Sequence, residues 1–294
     1  MAAPVAPLSF TIRASGMRLP VATSRPVVLA DGSTMLCIGG LAPTGAHSTS
    51  AIWRVNPTTG RVTADGSLVD AVHDAGGAVL RGQDIVFGGG GASVDSTVQL
   101  VSPGRTGRVV GHLPTPRADL VAVGSGGAAY VAGGFDGRAL SGTVLRTTDG
   151  QHFADVAALA VPVRYPAVVA VPHAIYLFGG ERGGALTDVV QRINLASGMT
   201  TVVAHLPIAL GHAGALVLDG TILVAGGKTR LGSPPVETTS VLAFDPARGT
   251  FRRVGSLPRP ASDFGTAVVG GVGYLLGGEN AENLSTIVEI HGRR

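Results

Sequence analysis

The chain has 294 residues, a formal net charge of +3, one cysteine and only 14% charged residues. One cysteine excludes an internal disulfide scaffold and a Cys-based zinc module. A hydrophobic content of 45% excludes a disordered chain, no apolar run approaches the ~18 residues that span a bilayer, and the small, dispersed charge offers no nucleic-acid-binding tract. Glycine is the unusual residue: 45 of 294 positions, roughly twice the ~7% average, neither every third residue nor clustered. Lysine is reduced to Lys228 against 21 Arg, which fits a GC-rich genome, since Ala, Gly, Val and Arg are abundant together.

In chain order, an extended segment from Phe10 to Pro20 comes first. A Gly-Gly doublet then ends a short apolar run six times: Leu36-Cys37-Ile38-Gly39-Gly40, Ile85-Val86-Phe87-Gly88-Gly89, Tyr130-Val131-Ala132-Gly133-Gly134, Tyr176-Leu177-Phe178-Gly179-Gly180, Leu223-Val224-Ala225-Gly226-Gly227 and Tyr274-Leu275-Leu276-Gly277-Gly278. Successive first glycines lie 49, 45, 46, 47 and 51 residues apart, the span of four short strands and their turns. Ahead of each doublet run lies another apolar strand and a tight turn: Asp31-Gly32, Arg81-Gly82, Ser125-Gly126, Pro172-His173, Asp219-Gly220 and Gly270-Gly271. A polar loop follows the doublet, then a third strand such as Ser50–Val55. A turn closing on Gly60, Gly107, Gly150, Gly198 or Gly249 leads to a fourth strand, which often ends in Leu-Pro.

Each unit therefore reads as an antiparallel meander of strands A, B, C and D, and no long helical periodicity appears, so the fold class is all-β. One meander cannot bury both faces; stacking the units radially protects their edges and gives a six-bladed β-propeller. Strand B, with its doublet, is expected near the crowded centre. The sixth unit has no fourth strand at its C-terminal end. The segment Phe10–Pro20 parallels Phe251–Pro258, and the next strand A opens six residues after the leucine in both cases, at Arg25 and Asp263. The N-terminal strand, residues 9–20, is thus expected to close the last blade. Residues 1–294 form one domain on this reading, with blades near 21–70, 71–114, 115–160, 161–207, 208–258 and 259–291.

The six doublets, the period and the tyrosines Tyr130, Tyr176 and Tyr274, three residues ahead of their doublets, resemble the kelch family of β-propellers. The resemblance covers nearly the whole chain. Where kelch repeats usually begin strand D with Trp, this chain has Val62, Phe153, Met199 or Thr200, and Phe251; its only Trp, Trp53, lies on a third strand. With aromatic residues at 4%, packing between blades should rest on Val, Leu and Ala.

The resemblance implies that the D-to-A and B-to-C connections share one face around the mouth of a central channel. It also implies an Arg just before strand A. The matching positions are Arg25, His73, Arg117, Arg164, His212 and Asp263, at 14, 15, 16, 15, 14 and 14 residues ahead of the doublet. Around the ring His73 would face His212, Arg25 would face Arg164, and Arg117 would face Asp263. Three permanent positive charges against one negative favour an anion, and the histidines add to that pull below about pH 6.5. The alternative is that these side chains bond neighbouring carbonyls and tie blades together. The B-to-C loops add a second rim: Phe135-Asp136-Gly137-Arg138, Glu181-Arg182, Lys228-Thr229-Arg230 and Glu279-Asn280.

Kelch-type copper radical oxidases need two tyrosines, two histidines and a crosslinked cysteine. Here Cys37 sits in an apolar strand B and the eight His are scattered, so copper chemistry is not expected, nor is any other cofactor or metal. The tetraglycine Gly88–Gly91 ends a strand with no helix after it and is no phosphate-binding loop. The expected function is a non-catalytic recognition module that binds an anionic group or acidic segment at the mouth. The partner would be a protein or a small anionic or carbohydrate ligand, and the module a monomer with no nucleic-acid partner and no membrane insertion. The alternative is a carbohydrate-active enzyme such as a sialic-acid-type epimerase or lyase. Met1–Pro4 leads almost directly into the closing strand without a signal-peptide pattern. The lone cysteine and the Gly/Thr/Ser-rich surface lean towards an extracytoplasmic bacterial setting.

Overall fold

A computed structural model describes residues 9–43 and 47–293, with strands throughout and no helix among them. No helix is therefore long and apolar enough to cross a membrane. Six antiparallel sheets, each of at least four strands, follow one another along the chain. Blade 1 contains Val27–Asp31, Thr34–Ile38, Ala51–Asn56 and Arg61–Ser67 in A-to-D order. Blades 2 to 5 begin their strands A at Gly76, Val121, Ala167 and Gly214 and repeat the order. Blade 6 is assembled from both chain ends. Gly265–Val269, Val272–Leu276 and Thr286–Arg293 supply strands A to C, and Ser9–Arg18 supplies strand D, pairing from Ser9 opposite Arg293 to Arg18 opposite Thr286. Blade 1 gains a fifth strand at its outer edge, because Arg105–Thr106 from blade 2 pairs parallel to Gly66–Ser67.

The burial of each strand follows from its place in the blade. Strand B is flanked within its own sheet and covered by both neighbouring blades, so Ala128–Ala132 and Ala174–Phe178 are buried at every position. Such strands are uniformly apolar in sequence rather than alternating. Strand A, not strand B, is innermost: its residues line the central channel. The doublet belongs instead to the seams between blades. The second glycine of each doublet donates its N–H to a carbonyl of the next blade's D-to-A loop, at Val72, Arg117, Val163, Leu210, Ala261 and Thr23. These six bonds measure 2.8–3.0 Å and run once around the ring, the last joining Gly278 to the segment after the closing strand.

This close approach requires glycine. Gly134 has φ +94°, and a Cβ there would lie 2.7 Å from the carbonyl of Ala118, a residue itself fixed by pairing with Phe135. Gly134→Ala therefore combines backbone strain with overpacking and should cost about 3 kcal/mol. Gly16→Ala, which would add a methyl to open space, should stay within about 0.5 kcal/mol. Thermal unfolding of both variants checks this, and equal melting temperatures would refute it.

Six hydrophobic clusters fill the seams, and most of their members are Val, Leu, Ile and Ala. The seam between blades 4 and 5 is the aromatic exception. There Phe251, one of the residues in the Trp-equivalent position, lies 4.7 Å from Phe244, which meets Phe178 edge-on at 5.4 Å. Phe153 likewise meets Phe87 edge-on across the seam of blades 2 and 3. The Met199 side of the blade 4 turn is exposed. Cys37 is buried among apolar neighbours, and burial alone pushes its thiol up to about 12.

Candidate functional site

The D-to-A turn before each strand A carries one residue in the left-handed region: Arg25, Asp74, Asp119, Tyr165, His212 and Asp263, with φ between +52° and +60°. All six stand 14 residues ahead of their doublet. Their main chains join head to tail. Asp119 N–H donates to the Asp74 carbonyl, Tyr165 to Asp119, His212 to Tyr165, Asp263 to His212 and Arg25 to Asp263, at 2.7–3.0 Å. The preceding residue of each turn forms a β-bridge with the residue after the doublet. These pairs are Ser24 with Leu41, His73 with Gly90, Ala118 with Phe135, Arg164 with Glu181, Gly211 with Lys228, and Ser262 with Glu279. Two sixfold circles thus bring D-to-A turns and B-to-C loops together on one face.

Of the six residues singled out in the sequence, Arg25, His212 and Asp263 occupy the inner circle. His73 and Arg164 stand one residue earlier, on the bridge. Arg117 stands two residues earlier, and its guanidinium donates to the carbonyl (3.0 Å) and hydroxyl of Thr143, at the start of its own blade's third strand. The residues opposite one another in the inner circle are therefore Arg25 and Tyr165, Asp74 and His212, and Asp119 and Asp263.

The charges form one network. Arg25 reaches Asp74 at 3.1 Å and Asp263 at 3.9 Å. His212 is held between Asp263 (Nδ1 to Oδ1, 2.6 Å) and Glu181 (Nε2 to Oε1, 2.7 Å), with Tyr165 stacked on its ring at 4.0 Å. Arg164 pairs with Glu181 at 2.7 Å and Asp119 at 3.3 Å, and Lys228 pairs with Asp263 at 2.9 Å and Glu279 at 2.8 Å. Tyr165 donates its hydroxyl to Asp74 at 3.2 Å. Five carboxylates thus face Arg25, Arg164, Lys228 and His212, so the expected excess of three positive charges over one is replaced by a near balance.

Burial and pairing set the protonation of these groups. Burial pushes Asp74 up to about 7, reinforced by Asp119 and Asp263 and opposed by Arg25. Burial acts the same way on Asp263, but His212, Lys228 and Arg25 outweigh it and hold that carboxyl well below its ordinary range. Burial would lower His212, yet Asp263 and Glu181 raise it above the ordinary imidazole value. His73 is lowered, by burial and then by Arg25. The network is layered: the Asp263, His212 and Asp74 side chains are 3%, 4% and 5% exposed, whereas Arg25 and Arg164 are 24% and 35% exposed. Seen from solvent, the guanidiniums lie outermost.

Beneath this layer runs the central channel, a cavity of about 710 Å³. Its wall begins at the residue after each inner-circle position, among them Pro26, Ala75, Pro166 and Phe264. It is mainly Val, Ala and Gly, and it continues to the A-to-B turns at Arg81-Gly82 and Gly126-Gly127. The ionic circle therefore caps one end of the channel. Among the described residues no group of three or more His, Cys, Asp or Glu is arranged to hold a metal ion.

Sequence reasoning missed Asp74, Asp119 and Tyr165. The signal was the constant spacing of 14, obscured by accepting 14 to 16 in order to find Arg or His. Glu181, Lys228 and Glu279, expected on a separate rim, are joined to the inner circle by the bridges.

The repeats, the blade order and the closing strand together define a six-bladed β-propeller. The chain is 32% identical to Kelch-like protein terF of Aspergillus terreus over 135 residues, which is 42% of this chain and 29% of that protein's length. It thus spans less than a third of that relative. The solved structure of YjhT superposes with a TM-score of 0.79 at 16% identity, covering 94% of this chain and 99% of that one. No protein-family model matches the chain.

Proposed function

We propose that this propeller is a recognition module whose loop face takes an anionic group, an acidic side chain or a sugar carboxylate, through Arg25 and Arg164. The observation that carries the reading is the layering. The two most exposed charged heads of the network are guanidiniums from opposite blades, and both lie over the Tyr165 ring, at 5.8 and 5.5 Å from its centroid. Guanidinium groups bind carboxylates through paired N–H donors. Because the network beneath is nearly balanced, affinity comes from these two heads rather than from a broad positive field.

The same geometry favours binding over catalysis. A general base needs a free site facing the substrate, and both nitrogens of His212 are engaged at 2.6 and 2.7 Å. The test is an NMR titration of glucuronate, N-acetylneuraminate and a Glu-rich peptide against the wild type and the paired variant Arg164→Gln/Glu181→Gln, which removes a cation and its carboxylate together. At least one probe should bind without conversion and weaken about tenfold or more in the variant. Turnover of any probe, or equal binding by the variant, overturns the reading.

A further inference from the structure

The closing strand leaves a hole beside its core. Its ladder with Thr286–Arg293 is regular up to Ala14 opposite Val288 and resumes at Arg18 opposite Thr286. Between them Ser15, Gly16 and Met17 stand against Ile287 alone, a bulge that absorbs the extra length of this strand. The bulge has its own fastenings. Ser15 donates to Glu289 at 2.7 Å and accepts from the Met17 N–H at 3.2 Å, and Met17 is drawn into the seam between blades 6 and 1.

On the opposite seam, towards blade 5, Phe10 and Ile12 pack against the core, but the strand then offers only Ala14 and Gly16. A cavity of about 190 Å³ remains there. Leu257, Phe264, Leu275, Leu284 and Val288 supply its apolar wall, Thr286 and two arginines, Arg18 and Arg259, its polar side, and both arginines are exposed. Neither guanidinium has an ion pair or hydrogen bond among the described residues. At the ionic circle, by contrast, Arg25 and Arg164 are tied to carboxylates and Arg117 to Thr143.

We propose that this seam is a second binding site, for a small monocarboxylic acid with a single-ring or branched aliphatic body. The body would fill the cavity and the carboxylate would bridge Arg18 and Arg259. The size is appropriate, since dry apolar cavities of about 150 Å³ lined by aliphatic and aromatic side chains take up benzene. The charge is appropriate too, because two uncompensated guanidiniums at the edge of an apolar hole complement one anionic head on an apolar body. The site needs none of the charged residues of the ionic circle, although Ala261 and Phe264 in its lining flank Ser262 and Asp263 in the chain.

Benzoate, benzamide and benzyl alcohol, titrated separately into the full chain and followed by amide NMR, test the proposal. Benzoate should shift the amides of Leu284, Thr286 and Val288 and bind at least tenfold more tightly than the two neutral probes. Arg18→Gln/Arg259→Gln should erase that tenfold preference. Ala14→Phe, which fills the hole from an exposed strand position, should abolish benzoate binding while cooperative unfolding persists. Equal binding of benzoate and benzamide, benzoate shifts confined to the Arg25 and Arg164 face, or no shift at 20-fold excess over a millimolar Kd would each overturn it.

Discussion

Deleting residues 1–18 should yield a protein that no longer unfolds cooperatively and that leaves a sizing column as aggregate. The closing strand is the sole outer partner of Thr286–Arg293, so its removal exposes the backbone of a strand whose Ile287 and Ile290 are fully buried. An unprotected apolar edge of this kind recruits other chains. Met17, also lost, is buried in the seam with blade 1, and each such side chain contributes about 1.5–3 kcal/mol. The deletion also loosens the joint of the ring, where Leu19 N–H meets the Ser285 carbonyl and Gly278 N–H meets that of Thr23. The summed loss, about 5 kcal/mol or more, is comparable with the whole stability of a typical domain. Circular dichroism melts and size exclusion report the outcome, and a synthetic strand of residues 9–20 added in trans should restore part of the transition. A monomeric truncation with a sharp melt would mean that the ring does not depend on this closure.

Asp263→Ala should be the most damaging single substitution in the ionic circle. Asp263 sits within 2.6 Å of His212, 2.9 Å of Lys228 and 3.9 Å of Arg25, and it also accepts from Ser262 at 2.9 Å. Removing it takes one of two carboxylate partners from His212 and from Lys228, both buried, and breaking buried pairs in this way costs about 3–5 kcal/mol. The melting temperature should fall by about 10 °C or more. The pH dependence identifies the cause. Asp263 is held below its ordinary range, so its contribution is present above about pH 4 and lost as pH falls. His212 is raised, so its contribution is present below about pH 6.5 and lost as pH climbs through the raised value. The gap between wild type and variant should therefore be widest from about pH 4 to 6.5 and narrow on either side. A gap that stays constant from pH 3 to 9, or a shift under about 2 °C, would show that packing rather than charge holds this corner.

The architecture was legible because its constraint is covalent and local. A doublet that donates to the next blade at every seam must be glycine at every seam, so Gly39-Gly40 through Gly277-Gly278 announce six units. The closing strand was legible for the same reason, as a strand D in the wrong place. The mouth was less so. The inner-circle position is selected by its backbone, near φ +55°, and not by one residue type, so a search for Arg and His slid to His73, Arg117 and Arg164. The charge balance was invisible because Asp74, Asp119, Glu181 and Glu279 come from four blades, and only the closed ring places them beside their cations. The hole beside Ala14 depends on where a bulge falls, which spacing does not fix.

The head-to-tail amides of the inner circle separate holding from doing. Arg25, Asp263, His212, Tyr165, Asp119 and Asp74 are strung together through N–H and carbonyl groups that every residue except proline possesses. The string therefore asks nothing of its side chains beyond tolerance of one turn. The circle behaves as six sockets in a common frame, and sets of mutually compatible plugs can be exchanged while the frame stays as it is. A propeller built on such a frame can change the residues at its mouth without relearning how to fold.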